Sequence, residues 1–137
     1  MKFFDYKTRV RYGETDQMGI SYYANYFVWF EAARTEYFRK IGFVYSKFEA
    51  EGLLLPVAET HCRYIAPSSY DDEIMVRTVV SQMRQSSIRF EYQVFKNGES
   101  KPIATGYSVH VFSSREFKPV RIPEILRSQV ELTPLEL

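Results

Sequence analysis

With a single cysteine, Cys62, the chain has no partner for an intramolecular disulfide, which fits a reducing compartment. Histidine is nearly as scarce. His61 and His110 are the only two, and no H-x-x-x-H or C-x-x-C spacing occurs, so two histidines and one cysteine make no convincing metal site. There is no glycine-rich phosphate loop. No apolar run approaches the ~20 residues that span a bilayer, and the opening stretch MKFFDYKTRVRY has no apolar core of the signal-peptide kind. An excess of charge of one sign is missing too. The 18 bases against 17 acids leave a net charge of +1, which gives neither nucleic acid nor an anionic membrane a reason to bind. These absences lead to the expectation of a soluble cytoplasmic protein without a metal site.

What is abundant is aromatic surface. Aromatics make up 17% of the 137 residues and apolar residues 45%, enough for one packed domain over residues 1–137. Such an aromatic load also suggests surface covered by a ligand or a second subunit.

Periodicity divides the chain. Tyr6 to Tyr12 alternates as a strand with one wet face. Tyr26, Phe30, Ala33, Tyr37 and Ile41 recur at three- and four-residue spacing, which predicts a helix from Asn25 to Ile41 with Asn25 as N-cap and Gly42 just past its end. Phe43 to Gly52 reads as a short helix or loop. Four strand patterns follow, at Leu54–Ile65, Glu73–Met83, Ser87–Lys96 and Ile103–Ser113, with Asn97-Gly98 as a tight turn. One helical turn is expected between Ile122 and Arg127. Strand, long helix and four strands in sequence predict an α+β fold, an antiparallel meander curved round the helix.

Several chemistries can be set aside. Gly106-Tyr-Ser-Val-His110 lacks the second glycine of a nucleophile elbow and sits within a strand. His61 and Cys62 are neighbours in a strand and face opposite sides, so they form no dyad. His110 reads as a packed or hydrogen-bonded histidine. Glu14 and Asp16 could share a face as a glycosidase-like pair, but nothing else supports a sugar cleft. Asp16 itself has two readings. Asp16-Gln-Met-Gly19 is a turn pattern in which the side chain binds backbone N–H groups, and it also sets a carboxylate beside an aromatic helix start, where chemistry would want one.

The run Tyr12-Gly-Glu-Thr-Asp16-Gln-Met-Gly19-Ile-Ser-Tyr-Tyr-Ala-Asn25-Tyr26, followed by Trp29-Phe30-Glu31-Ala-Ala-Arg34, resembles the signature of the 4-hydroxybenzoyl-CoA thioesterase family. Within it, the acyl-CoA thioesterases associated with the Tol–Pal cluster are similar. The likeness continues through Ala66–Asp72 and Lys118–Pro123. It implies a hotdog fold: a curved sheet of about five strands around one long helix, joined edge to edge into homodimers that pair again as tetramers. It implies hydrolysis of an acyl-CoA to free acid and coenzyme A, with coenzyme A as part of the substrate and no separate cofactor. Asp16 takes the catalytic carboxylate position, as general base or nucleophile. Tyr12, Tyr23, Asn25 and Tyr26 are implied pocket residues, and Arg84 a contact for coenzyme A. The sequence departs from the family at Tyr23, where many relatives carry histidine. A phenol is a poor base near neutral pH, which motivates the alternative of a non-catalytic hotdog dimer that binds an acyl or aromatic ligand, or a partner protein.

Overall fold

The computed structural model describes residues 2–135. Five strands form one antiparallel sheet: β1 (Phe4–Arg9), β2 (Val57–Tyr64), β3 (Glu73–Met83), β4 (Ser87–Lys96) and β5 (Ala104–Val111), in the order β1-β3-β4-β5-β2. The helix α1 (Asn25–Lys40) lies against its concave face, with two short helices, α2 (Tyr45–Ala50) and α3 (Glu124–Gln129), at the periphery. This is the hotdog arrangement.

The core follows from the alternation. Ile74, Val76, Thr78 and Val80 of β3, and Ile88, Phe90, Tyr92 and Val94 of β4, are all buried on the face that meets α1. From the helix, Phe30 stacks on Tyr92 with ring centroids 4.2 Å apart, while Tyr37 and Phe38 both meet Phe90 edge-on. Offset and edge-on aromatic pairs add to what area burial alone gives. Just past the helix and its C-cap Ile41 stands Gly42, whose φ of +84° suits a residue without a side chain.

The expected meander is only partly present. β3, β4 and β5 are joined as sequential neighbours, but β2 pairs with β5 rather than with β3. The connection 65–72 is too long for a hairpin turn, and it carries the chain from one edge of the sheet across to β3. β2 is exposed along both faces except at Cys62. Its outer edge has no partner among the described residues, and such an edge offers a row of free backbone groups. At the start, β1 spans Phe4–Arg9 rather than Tyr6–Tyr12, because Tyr12–Glu14 turns into a single 3₁₀ turn.

Candidate active site

Asp16 sits in a small hairpin that leads from the 3₁₀ turn to α1. Its backbone N–H donates to Ile20 O at 2.9 Å, Gly19 N donates to Asp16 O at 3.0 Å, and Thr15 bridges Ser21. Met18 N donates to Asp16 Oδ1 at 2.8 Å. The turn reading is therefore correct, yet it uses one carboxylate oxygen only. Oδ2 has no partner among the described residues, and the side chain is half-buried. A carboxylate fixed through one oxygen keeps the other for chemistry.

The buried Glu14 clamps this hairpin to the helix. Its carboxylate accepts from Arg11 N at 2.8 Å and from the indole N–H of Trp29 at 3.1 Å. Its main-chain carbonyl accepts from Tyr22 N and from Asn25 Nδ2, both at 2.8 Å. With its charge spent on these partners, Glu14 is no second acid of a glycosidase pair. Asn25 is also relocated. The N-cap position belongs to Ala24, and Asn25 is the first helical residue, its amide reaching back to Glu14. The backbone N–H groups of Tyr23 and Ala24 donate to no acceptor among the described residues. They stand at the positive end of α1, where negative charge is stabilised.

Beside this first turn lies a cleft of about 420 Å³, lined by Ile20, Ser21, Tyr23, Tyr26, Tyr64 and the start of the 65–72 connection. Ile20 and Ser21 belong to the Asp16 hairpin, Tyr23 and Tyr26 to the start of α1, and Tyr64 to the end of β2. The Tyr64 hydroxyl donates to Tyr23 O at 2.9 Å, so the edge strand is tied to the helix start. Deeper in, Tyr26 OH lies 3.0 Å from Ser68 Oγ, which lies 2.7 Å from Ser21 Oγ. Burial pushes the Tyr26 phenol up in pKa, so it stays protonated. Tyr22 and Tyr23 pack ring to ring at 4.6 Å. Their mutual hydrogen bond raises the Tyr22 pKa most, and the Asp16 charge adds a smaller push in the same direction.

The structure thus groups Asp16, Tyr23, Asn25 and Tyr26 at one end of the sheet. Tyr12 stands apart from the cleft, exposed and edge-on to Tyr70 at 5.6 Å. Arg84 is elsewhere altogether. Its N–H donates to Ser87 O in the turn after β3, whereas the Asp16 hairpin is tied at Ser68, before β3 begins. The 11 residues of β3 separate these ends by roughly 30 Å at ~3.3 Å per residue. Arg127, which carries no sequence signal of its own, donates to Arg84 O and marks that end as basic. His61 stacks on Tyr107, while Cys62 is half-buried with its thiol pKa pushed by burial up to about 11. His110 is buried far from Asp16, with its Nε2 2.8 Å from Ser108 Oγ. Ser21, Ser68 and Tyr64 were not singled out from the sequence, because only the folded chain brings residues 21 and 68 together.

A family model described as the thioesterase-like superfamily matches residues 10–130. YneP of Bacillus subtilis, named as a provisional acyl-CoA thioesterase, is 39% identical over 82% of this chain and 81% of its own. The acyl-CoA thioesterase YbgC of Haemophilus influenzae is 33% identical over 91% of this chain and 92% of its own. Among solved structures, the DHNA-CoA thioesterase of Staphylococcus aureus superposes with a TM-score of 0.86 at 29% identity, covering 93% of this chain and 86% of that one.

Proposed function

The chain belongs to the thioesterase-like superfamily, and from that membership we infer that it is an acyl-CoA thioesterase whose reacting carboxylate is Asp16. One observation supports the placement of the chemistry above others: the hairpin that holds Asp16 also supplies Ile20 and Ser21 to the wall of an apolar cleft, and the facing wall is the helix start with two free N–H groups.

Hydrolysis of a thioester needs a nucleophile and a home for the developing oxyanion. In this reading the acyl group lies in the cleft and its carbonyl oxygen points at the N–H groups of Tyr23 and Ala24. These are preorganised donors at a helix N-terminus and cost no reorganisation as charge builds. Asp16 takes the proton of an attacking water, or attacks the carbonyl carbon itself to give a mixed anhydride that water then opens. In both routes the C–S bond breaks, coenzyme A leaves as its thiol and the acid is released. Tyr23 is a wall of the cleft and not a base. The reaction asks for no cofactor beyond the coenzyme A that the substrate brings.

The site is completed by a second copy. The free edge of β2 runs beside the cleft, and two copies joined antiparallel along it about a twofold axis form a closed pair. Such a pairing sets the Val57 end of one β2 next to the Tyr64 end of the other. It thereby brings the partner's basic end, after β3, to this chain's Asp16 end, which is how Arg84 reaches coenzyme A across roughly 30 Å. Two such pairs assemble as a tetramer, in the cytoplasm. No helix among the described residues is long and apolar enough to cross a membrane.

Thiol release from a panel of short-chain, long-chain and aromatic acyl-CoAs tests the assignment. Turnover on at least one ester is expected. Saturable binding of the esters with no thiol released would replace the hydrolase by a ligand-binding hotdog dimer.

A further inference from the structure

Glu14 is an expensive residue for its place. It is only 6% exposed, and a buried carboxylate costs free energy unless its oxygens are paired. Both are. Oε1 accepts from Arg11 N at 2.8 Å and faces Arg11 Nε at 3.4 Å, while Oε2 accepts from Trp29 Nε1 at 3.1 Å. The first contact closes the 3₁₀ turn, and the second reaches into α1. The side chain therefore fixes the Glu14 backbone from two directions, although Glu14 does not line the cleft.

That backbone in turn holds the helix start. Glu14 O accepts from Tyr22 N and from Asn25 Nδ2, both at 2.8 Å. Tyr22 and Asn25 bracket Tyr23 and Ala24, whose N–H groups have no acceptor among the described residues. In the other direction, Asp16 follows Glu14 by two residues, with Thr15 extended between them at φ −96° and ψ 158°. Two extended residues span roughly 7 Å. The hairpin itself is closed by the Thr15–Ser21 bridge and by Asp16 N donating to Ile20 O, so it ends one residue short of Tyr22. Glu14 is where the mount of the carboxylate meets the mount of the N–H pair.

Resting on the thioesterase reading, we infer that Glu14 is a positioning residue for the reaction: its buried carboxylate, held by Trp29 and Arg11, sets the separation between Asp16 and the N–H groups of Tyr23 and Ala24. Glutamine at this position would match the size and fail the geometry. It has one acceptor oxygen, so its NH₂ group must face either the indole N–H or the Arg11 N–H, donor against donor. One of the two ties is lost, and the hairpin shifts against the helix. A displacement of ~1 Å from a change remote from the chemistry can cost ~10²-fold in rate.

The test measures kcat and KM for thiol release from the best ester with wild-type and Glu14→Gln proteins, with folding verified by circular dichroism and urea midpoint. A fall in kcat of about tenfold or more is expected, with KM within about twofold of wild type. The same substitution placed on Asp16→Asn should lower the residual rate by no more than about twofold, because a misplaced carboxylate matters only while the carboxylate is there. A purely structural role would repeat its full factor in that background. If Glu14→Gln does not fold, Trp29→Phe removes the Oε2 donor alone and should lower kcat in the same way, by about threefold or more. A folded variant with kcat within about twofold of wild type, or a full-sized loss repeated on Asp16→Asn, overturns the inference and leaves the hydrolase intact. Wild-type protein that releases thiol from no ester removes the hydrolase reading and this inference together.

Discussion

Gly106 is the most crowded of the glycines, and replacing it with alanine tests how closely β2 is held over the helix. A Cβ at this position would lie 2.5 Å from His61 O and 2.7 and 2.8 Å from Cε2 and Cζ of Phe30. All three distances are far inside van der Waals contact, and neither neighbour can move freely. His61 O belongs to a β2 residue in the ladder with β5, where Cys62 stands opposite Gly106. Phe30 is stacked on Tyr92 and fully buried. Overpacking a core by one methyl costs about 1–3 kcal/mol. With a ladder strand and a packed ring both in the way, Gly106→Ala belongs at about 3 kcal/mol. For an m-value of about 1.5 kcal/mol/M, that lowers the urea midpoint by roughly 2 M at fixed protein concentration. Thiol release should fall with it, since β2 carries the Tyr64 hydroxyl that holds Tyr23. Adding Phe30→Leu should recover part of the loss by relieving the ring contact. A midpoint shift worth less than about 0.5 kcal/mol would refute the close approach of β2 to Phe30 and with it this view of the cleft wall.

Two more outcomes follow from the geometry. Burial, aided by the nearby Arg34 charge, lowers the His110 pKa from 6.5 to about 4. The folded state keeps His110 neutral while the unfolded chain protonates it, so stability is lost as pH falls from about 6.5 to about 4, by about 3 kcal/mol in all. Urea unfolding at pH 7 and pH 4 should show that His110→Gln loses about that much less across the interval than wild type; an equal loss in both proteins would contradict the buried neutral histidine. If Arg84 serves the partner's site, Asp16→Asn and Arg84→Ala proteins, each impaired, should regain activity when their subunits are exchanged, because each mixed pair holds one intact site, about a quarter of all sites. No gain over the unmixed proteins would place Arg84 outside the site.

Much of this was legible in the sequence, and the limits have physical causes. β3 and β4 have the expected bounds because both are central strands whose alternating residues pack under one helix. The long helix was legible for the same reason, from its apolar spacing. The place of β2 was not, since strand order depends on where the 65–72 connection crosses, and local alternation says nothing about that. Asp16 was marked by its turn pattern, and the resemblance gave it a role. Asn25 was misplaced as the N-cap because nothing local shows that its amide reaches back to Glu14. Arg84 was given by the resemblance as a contact for coenzyme A, and only the register of β3 reveals that it stands at the opposite end of the sheet from Asp16. Ser21 and Ser68 are 47 positions apart and meet only on folding.

The central claim is that Asp16 is the reacting carboxylate. It is tested most directly by thiol release from the best acyl-CoA ester with wild-type and Asp16→Asn proteins side by side. The asparagine keeps an oxygen to accept from Met18 N, so the turn should hold and circular dichroism and melting should match wild type. Loss of a general base predicts a fall in kcat of about 10²-fold or more, with KM much less affected. A folded Asp16→Asn protein that turns over at near the wild-type rate would contradict it.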